Sequence, residues 1–121
     1  MQPGSFFYQS KVAGICQMRS GLEVRIARIL DYLCSMHIYK SWSYEKFSFK
    51  YKNHKGYFHK YIPDFRIIDD MGKVFFIEGK GFIKKNDFHK LEAMKTLGYQ
   101  VYLLADSDIK QWEKSLKIKR T

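Results

Sequence analysis

Residues Val74, Phe75, Phe76 and Ile77 are apolar at every position and are followed at once by Glu78, Gly79 and Lys80. Side chains alternate across a strand, so a run that is apolar at both parities describes a strand covered on both faces. A chain with such a strand has to supply layers above and below a sheet. The same run sets a problem, because charges that end a buried strand are costly unless they are paired or bind a metal.

The remaining periodicities supply the layers. Ser20 followed by Glu23 has the spacing of a capping box, and Leu22, Ile26, Ile29 and Leu33 recur at helical spacing while Arg25, Arg28 and Asp31 fall elsewhere. A helix is expected over roughly residues 20–36. Phe47, Phe49 and Tyr51 alternate with Lys46, Ser48, Lys50 and Lys52, the pattern of a strand with one wet, basic face. After a turn at residues 53–56, Tyr57 to Ile68 reads as a second strand in which Pro63 favours an edge or bulge. A turn at residues 69–72 leads to a third strand, Val74 to Phe82. Asn86 or Asp87 is expected to cap a helix reaching Leu97, with Gly98 at its C-terminal cap. A short strand from Tyr99 to Leu104 and a helix from Asp106 or Ser107 to about Lys117 complete the series. Residues 1–18, with Pro3, Gly4 and Gly14, read as an arm with room for a short helix. The expected order is α-β-β-β-α-β-α, a mixed α/β fold with a central mixed sheet flanked by helices.

Length and charge narrow the function. The 121 residues suit a single domain: an arm over residues 1–18, a core over about 19–105, and a basic C-terminal helix over about 106–121. A chain this short buries only about two-thirds of its unfolded surface, so a dimer interface is a reasonable added source of stability. Twenty-two Lys and Arg against 12 Asp and Glu give a net charge of +10, a balance suited to nucleic acid first and an acidic membrane surface second. No stretch approaches the roughly 20 apolar residues of a membrane span, and the N-terminus lacks a leader pattern. A cytoplasmic protein is expected, with Cys16 and Cys34 as reduced thiols, since they form no CxxC pair.

The charges at the end of the apolar strand acquire a partner from register. If the hairpin turns about Met71, residues whose numbers sum to about 142 lie opposite one another, and Asp64 and Glu78 meet that condition. Cross-strand neighbours have Cβ atoms roughly 5 Å apart, close enough for two carboxylates to share a cation. Glu78 and Lys80 share one face by alternation. Carboxylate oxygens suit a hard cation such as Mg²⁺, and the Gly79 carbonyl is a further candidate ligand. With Lys80 to orient or help deprotonate a water and to offset charge, the set is suited to phosphodiester hydrolysis.

Ile62-Pro63-Asp64-Phe65, a hairpin, and Ile77-Glu78-Gly79-Lys80-Gly81 together resemble the PD-(D/E)xK nuclease superfamily. Upstream, Arg19-Ser20-Gly21-Leu22-Glu23 and Tyr44-Glu45 are similar to elements of the bacteriophage endonuclease I family, so the resemblance covers roughly residues 18–82. It implies a restriction-endonuclease-like core and a homodimeric, Mg²⁺-dependent enzyme that resolves branched DNA such as Holliday junctions, with Mn²⁺ able to substitute. It also implies that Glu23 is the helix-borne acidic ligand, Asp64 the central ligand, Glu78 the second and Lys80 the catalytic lysine. The chain departs from the family in a longer segment between Phe65 and Val74, in Gly79 where a side chain is common, and after Gly98.

Plainer roles stand beside these. Glu23 is equally a capping-box residue for Ser20, Asp64 a strand-edge acid after Pro63, and Glu78 with Lys80 a surface pair. Asp69, Asp70, Asp106 and Asp108 are expected in turns and caps, and His37, His54, His59 and His89 carry no catalytic role. Lys46, Lys50 and Lys52 are the better candidates for DNA contact, joined by Arg19, Lys84 and Lys85. Lys90, Lys114, Lys117, Lys119 and Arg120 serve equally as surface charge. Phe47 and Phe49 are expected in the core. Rival functions are a sequence-specific homing, nicking or restriction-like endonuclease, and a non-catalytic DNA-binding module.

Overall fold

The computed structural model describes residues 6–53 and 55–118. Its elements run β1 (Phe6–Ser10), β2 (Gly14–Met18), α1 (Gly21–Ser35), β3 (Tyr39–Tyr44), β4 (Phe49–Lys52), β5 (Phe58–Tyr61), β6 (Phe65–Asp69), β7 (Val74–Gly79), α2 (Lys85–Thr96), β8 (Val101–Leu104) and α3 (Asp106–Leu116). Four strands form the central sheet in the order β3-β6-β7-β8, while β1-β2 and β4-β5 are separate hairpins. The β3-β6 and β6-β7 pairs are antiparallel and β7-β8 is parallel, the mixed sheet expected. A parallel pair needs a crossover, and α2 provides it.

The apolar run sits where its pattern requires. Ile77 joins the core cluster beneath α1 with Ile26, Ile29, Leu30, Trp42, Phe65 and Ile67. Phe76 faces the other way, into a second cluster with Tyr51, Tyr61, Met94 and Val101. Phe76 meets Phe49 and Tyr99 edge-on, at ring-centroid separations of 5.4 and 5.6 Å. One face of β7 is thus covered by α1, the other by α2 and the β4-β5 hairpin.

Several expectations are corrected. The N-terminal arm is no helix: from Phe6 onward it is the β1-β2 hairpin, turned at Gly14 with φ +81°; Pro3 and Gly4 lie outside the described residues. The hairpin is fastened by Asp31 of α1, whose carboxylate accepts from Tyr8 Oη at 2.6 Å, Ser10 Oγ at 2.7 Å and Trp42 Nε1 at 2.9 Å. The first strand of the sheet is β3, not the segment around Phe47. The stretch from Tyr57 to Ile68 divides into β5 and β6, because Pro63 breaks the ladder between them. The third strand stops at Gly79 rather than Phe82, and α2 is capped at Lys84 rather than at Asn86 or Asp87. The segment joining β6 and β7 is a tight turn, in which Asp69 Oδ1 accepts from the N–H groups of Met71 and Lys73. Gly98 closes α2 as expected. Its φ is +90°, and the bonds Gly98 N–H to Lys95 O and Tyr99 N–H to Met94 O complete a Schellman motif.

Arg25 lies off the apolar stripe of α1 yet is only 8% exposed. It grips Glu113 of α3 through two bonds, Nε to Oε2 at 3.2 Å and Nη2 to Oε1 at 2.6 Å, and also reaches Asp106 at 2.5 Å. Asp106 is not the cap, which is Ala105, but the first residue of α3; Arg25 first, then Lys110, hold its carboxyl pKa at about 2. Among the described residues no helix is long and apolar enough to cross a membrane. Both Cys16 and Cys34 are free thiols.

Candidate active site

Tyr44, Phe65 and Ile77 lie side by side on β3, β6 and β7. The β6-β7 register is the one read from the turn, with Phe65 opposite Ile77 and Ile68 opposite Val74. One step further, at the same end of all three strands, stand Glu45, Asp64 and Glu78. Glu45 N–H donates to the Asp64 carbonyl at 2.8 Å, which extends the β3-β6 ladder by one residue. Glu23 arrives from the first turn of α1. Carboxylate oxygens of Glu23, Glu45 and Asp64 all lie within 4.8 Å of one another, and Glu78 flanks Asp64 on the opposite strand.

Ser20 caps α1 as expected, but Glu23 does not close a capping box, because its carboxylate turns to Arg19 N–H and not to Ser20 N–H. Glu23 N–H donates to Ser20 Oγ at 3.2 Å, while Glu23 Oε1 accepts from Arg19 N–H at 2.8 Å and Oε2 from Tyr44 Oη at 3.0 Å. Each carboxylate oxygen still has a second lone pair. Glu45, which sequence reasoning did not assign to the site, is ion-paired with Arg19 and adopts φ +46°, a left-handed conformation that turns it out of the strand path.

Crowded acids raise one another's proton affinity. Burial, then the charges of Glu78 and Glu23, push the Asp64 carboxyl well above the usual carboxylate range, against the opposing pull of the Gly79 N–H and Lys80. Gly79 N–H donates to Asp64 Oδ2 at 3.0 Å. Glu78 is 5% exposed, and its Oε2 has no hydrogen-bond partner. Lys80 Nζ stands 3.4 Å from that oxygen, near enough for an ion pair but not aligned as a donor. Burial, followed by the charge of Glu78, raises the Tyr61 hydroxyl so that it stays neutral.

Lys80 lies between two acids, since its Nζ is also 3.3 Å from Asp87 Oδ1. Burial works against the ammonium, but Glu78 and Asp87 outweigh it and hold the Lys80 pKa above its ordinary value. Asp87 is 4% exposed and accepts from Lys84 N–H at 2.8 Å. Burial alone would raise its carboxyl, yet that bond with Lys80 and Lys90 lowers it. Asp87 was legible as a helix-start acid; its contact with Lys80 was not.

Gly79 is glycine for a reason of packing. A Cβ built there would stand 2.8 Å from Ile26 Cδ1 and 3.5 Å from Leu22 Cδ2, so α1 approaches the strand where a side chain would otherwise lie. Gly79→Ala is expected to cost about 1–3 kcal/mol by overpacking, read as a lower midpoint in urea unfolding; an unchanged midpoint would contradict the close packing. The Gly79 carbonyl is also exceptional. Gly79 N–H faces β6, and its carbonyl shares that side, where the next ladder position is Pro63. Proline has no N–H, so the ladder leaves this carbonyl without the bond it would otherwise accept.

Glu23, Asp64, Glu78 and Lys80 line a cleft of about 470 Å³, rimmed by Arg19, Lys60, Tyr61, Ile62 and Lys90. The other expected DNA contacts are distributed differently. Lys50 and Lys52 lie on the exposed side of β4, whereas Lys46 precedes that strand and sits near Glu45 and Ala13. Phe47 is partly exposed and covered by the Arg66 guanidinium at 4.4 Å, so it is not in the core, unlike Phe49. Lys84 and Lys85 are exposed at the start of α2. His54, Lys119 and Arg120 lie outside the described residues. Lys60 and Lys90 were missed as cleft residues because strand pairing and helix packing, not sequence proximity, bring them there. No family model, curated protein or solved structure matches this chain.

Proposed function

We propose that the chain is a Mg²⁺-dependent DNA endonuclease that acts, as a homodimer, on branched DNA such as Holliday junctions. The observation that carries the reading is the convergence of Asp64 and Glu78 from neighbouring strands beside Lys80, in a cleft whose rim is cationic. The donor set fits a hard divalent cation. It offers a buried carboxylate oxygen without a hydrogen-bond partner, a neighbouring acid forced to hold its proton, and a backbone carbonyl outside the ladder. Asp64, Glu78 and the Gly79 carbonyl would hold the ion, with Glu23 beside them. Bound there, Mg²⁺ supplies Lewis acidity toward a phosphoryl oxygen and an acidified water.

The chain's own groups do the rest. Arg19, Lys60 and Lys90 draw the phosphate backbone toward the cleft. Lys80, held charged by Glu78 and Asp87, faces the reacting phosphate as a cation that offsets developing negative charge; its raised pKa favours this over service as a base. Tyr44 fixes the Glu23 carboxylate by a hydrogen bond, and the neutral Tyr61 hydroxyl lines the cleft beside Glu78. The arrangement of β3-β6-β7-β8 with α1 on one face and α2 on the other supports a restriction-endonuclease-like core. Mn²⁺ is expected to substitute for Mg²⁺.

Incubation of the protein with a four-way junction and Mg²⁺ is expected to yield strand cleavage that Glu78→Ala abolishes. Cleavage surviving both Glu78→Ala and Asp64→Ala would remove the catalytic assignment. Cutting at one sequence in linear duplex, with indifference to branching, would favour a homing, nicking or restriction-like enzyme built on the same residues. Salt-sensitive binding without any divalent-dependent hydrolysis would mark a DNA-binding module.

A further inference from the structure

The β4-β5 hairpin is not needed to complete the sheet, and its outer face carries an unusual charge pattern. Residues 46–63 contain five lysines and no acidic residue. Lys50 and Lys60 face each other directly across the ladder, and Lys52 faces Phe58. Like charges placed opposite one another destabilise a hairpin, and among the described residues neither Lys50, Lys52 nor Lys60 takes part in an ion pair. Lys60 also lines the cleft of Asp64 and Glu78. At the other end of the hairpin, Tyr57 and Phe58 are 67% and 69% exposed. This tip is held in shape: Asn53 Oδ1 accepts from Lys55 and Tyr57 N–H at 2.9 and 3.0 Å, and Lys52 Nζ stands 5.1 Å over the Phe58 ring. An ordered aromatic pair at the end of an uncompensated basic strip has the chemistry of a stacking platform fed by phosphate contacts.

We propose that the β4-β5 hairpin grips the DNA strand leading into the cleft, with Lys50, Lys52 and Lys60 on its phosphates and Tyr57 and Phe58 stacked on unpaired bases. This rests on the nuclease reading and deepens it, because it makes unpaired bases beside the cut the recognised feature. From Phe58 to Tyr61 at the cleft is three residues, roughly 10 Å of strand, or the axial length of about three base pairs. The preferred substrate therefore has unpaired bases about three nucleotides from the scissile phosphate, as a flap or a branch point with unpaired nucleotides provides.

The test uses the full chain, a fluorescein-labelled junction whose branch point carries unpaired bases, and a duplex of equal length, titrated in EDTA across a salt series. The wild type is expected to bind the junction more tightly than the duplex. The triple variant Lys50→Ala/Lys52→Ala/Lys60→Ala should weaken both by about tenfold or more and flatten the logarithmic salt slope by about 2. Tyr57→Ala/Phe58→Ala should keep the salt slope and lose the preference for the junction. All five side chains are exposed, and circular dichroism reports whether the fold persists. Unchanged slope and affinity in the triple variant would overturn the phosphate contacts, and an unchanged preference in the aromatic variant would overturn stacking. Either result leaves wild-type Mg²⁺-dependent cleavage as a separate readout: cleavage with no hairpin effect spares the nuclease reading, whereas hairpin-dependent binding with no cleavage sinks that reading and leaves the grip standing.

Discussion

Asp64→Asn is expected to abolish cleavage, by about a thousandfold or more, and at the same time to make the protein more stable. The two effects have one origin. Asp64 is buried between Glu78 and Glu23, so its ionised form is disfavoured and its carboxyl titrates well above the usual carboxylate range. A group whose folded pKa is raised stabilises the fold fully below its unfolded pKa, and that contribution is lost as pH rises through the folded value. Stability of the metal-free protein should therefore decline as the pH climbs from about 4 past neutrality. Asparagine keeps an acceptor for Gly79 N–H, brings no charge, and removes this slope. At pH 8 in EDTA the gain is expected to be about 1–2 kcal/mol, or roughly 4–8 °C in the unfolding midpoint. Addition of Mg²⁺ should raise the wild-type midpoint, more strongly at high pH because ligands must shed protons, and leave the variant nearly unmoved. A midpoint that falls in Asp64→Asn at every pH would show that the acids are not in conflict.

The largest loss of stability is expected at Arg25, remote from the cleft. Arg25 and Glu113 are 8% and 5% exposed, and their two-point pairing joins α1 to α3 across 88 residues of sequence. Removing one partner of a buried pair leaves the other as an uncompensated charge, at a cost of about 3–5 kcal/mol. For a domain of this size that is a large share of a total of about 5–15 kcal/mol. Arg25→Ala should shift urea unfolding accordingly, while Arg25→Met combined with Glu113→Met should recover most of the loss, since apolar replacement of both partners removes the desolvation penalty. A single variant that costs under about 1 kcal/mol would mean that the pair behaves as a surface contact. Because α1 carries Glu23, loss of this anchor should also blunt cleavage without touching the acids.

The order in which features became legible follows the range of the forces involved. The β6-β7 hairpin could be read residue by residue, since a tight turn and a period of two leave one register that buries Ile77 and Phe65 together. The Gly98 cap was equally local. By contrast, Tyr39–Tyr44 shows only weak alternation, and its place beside β6 is fixed by Trp42 and Tyr44 packing on Phe65. Without that pairing nothing in the sequence sets Glu45 beside Asp64. Arg25 is the opposite case: its place off the apolar stripe gives no sign of burial, and only the arrival of Glu113 and Asp106 makes that burial tolerable.

What the sequence alone determined is therefore the mixed α/β class, the central apolar strand, and the pairing of Asp64 with Glu78 on one face with Lys80. All of these follow from side-chain alternation and one short turn. The tertiary structure decided which other groups share that point. It placed Glu45 beside Asp64, set Asp87 against Lys80, and swung Lys60 and Lys90 to the rim of the cleft. It also set Ile26 and Leu22 of α1 against Gly79, where a Cβ would stand 2.8 Å from Ile26 Cδ1. These outcomes depend on contacts between elements far apart in the chain, where burial and charge compensation, rather than local periodicity, choose the partners.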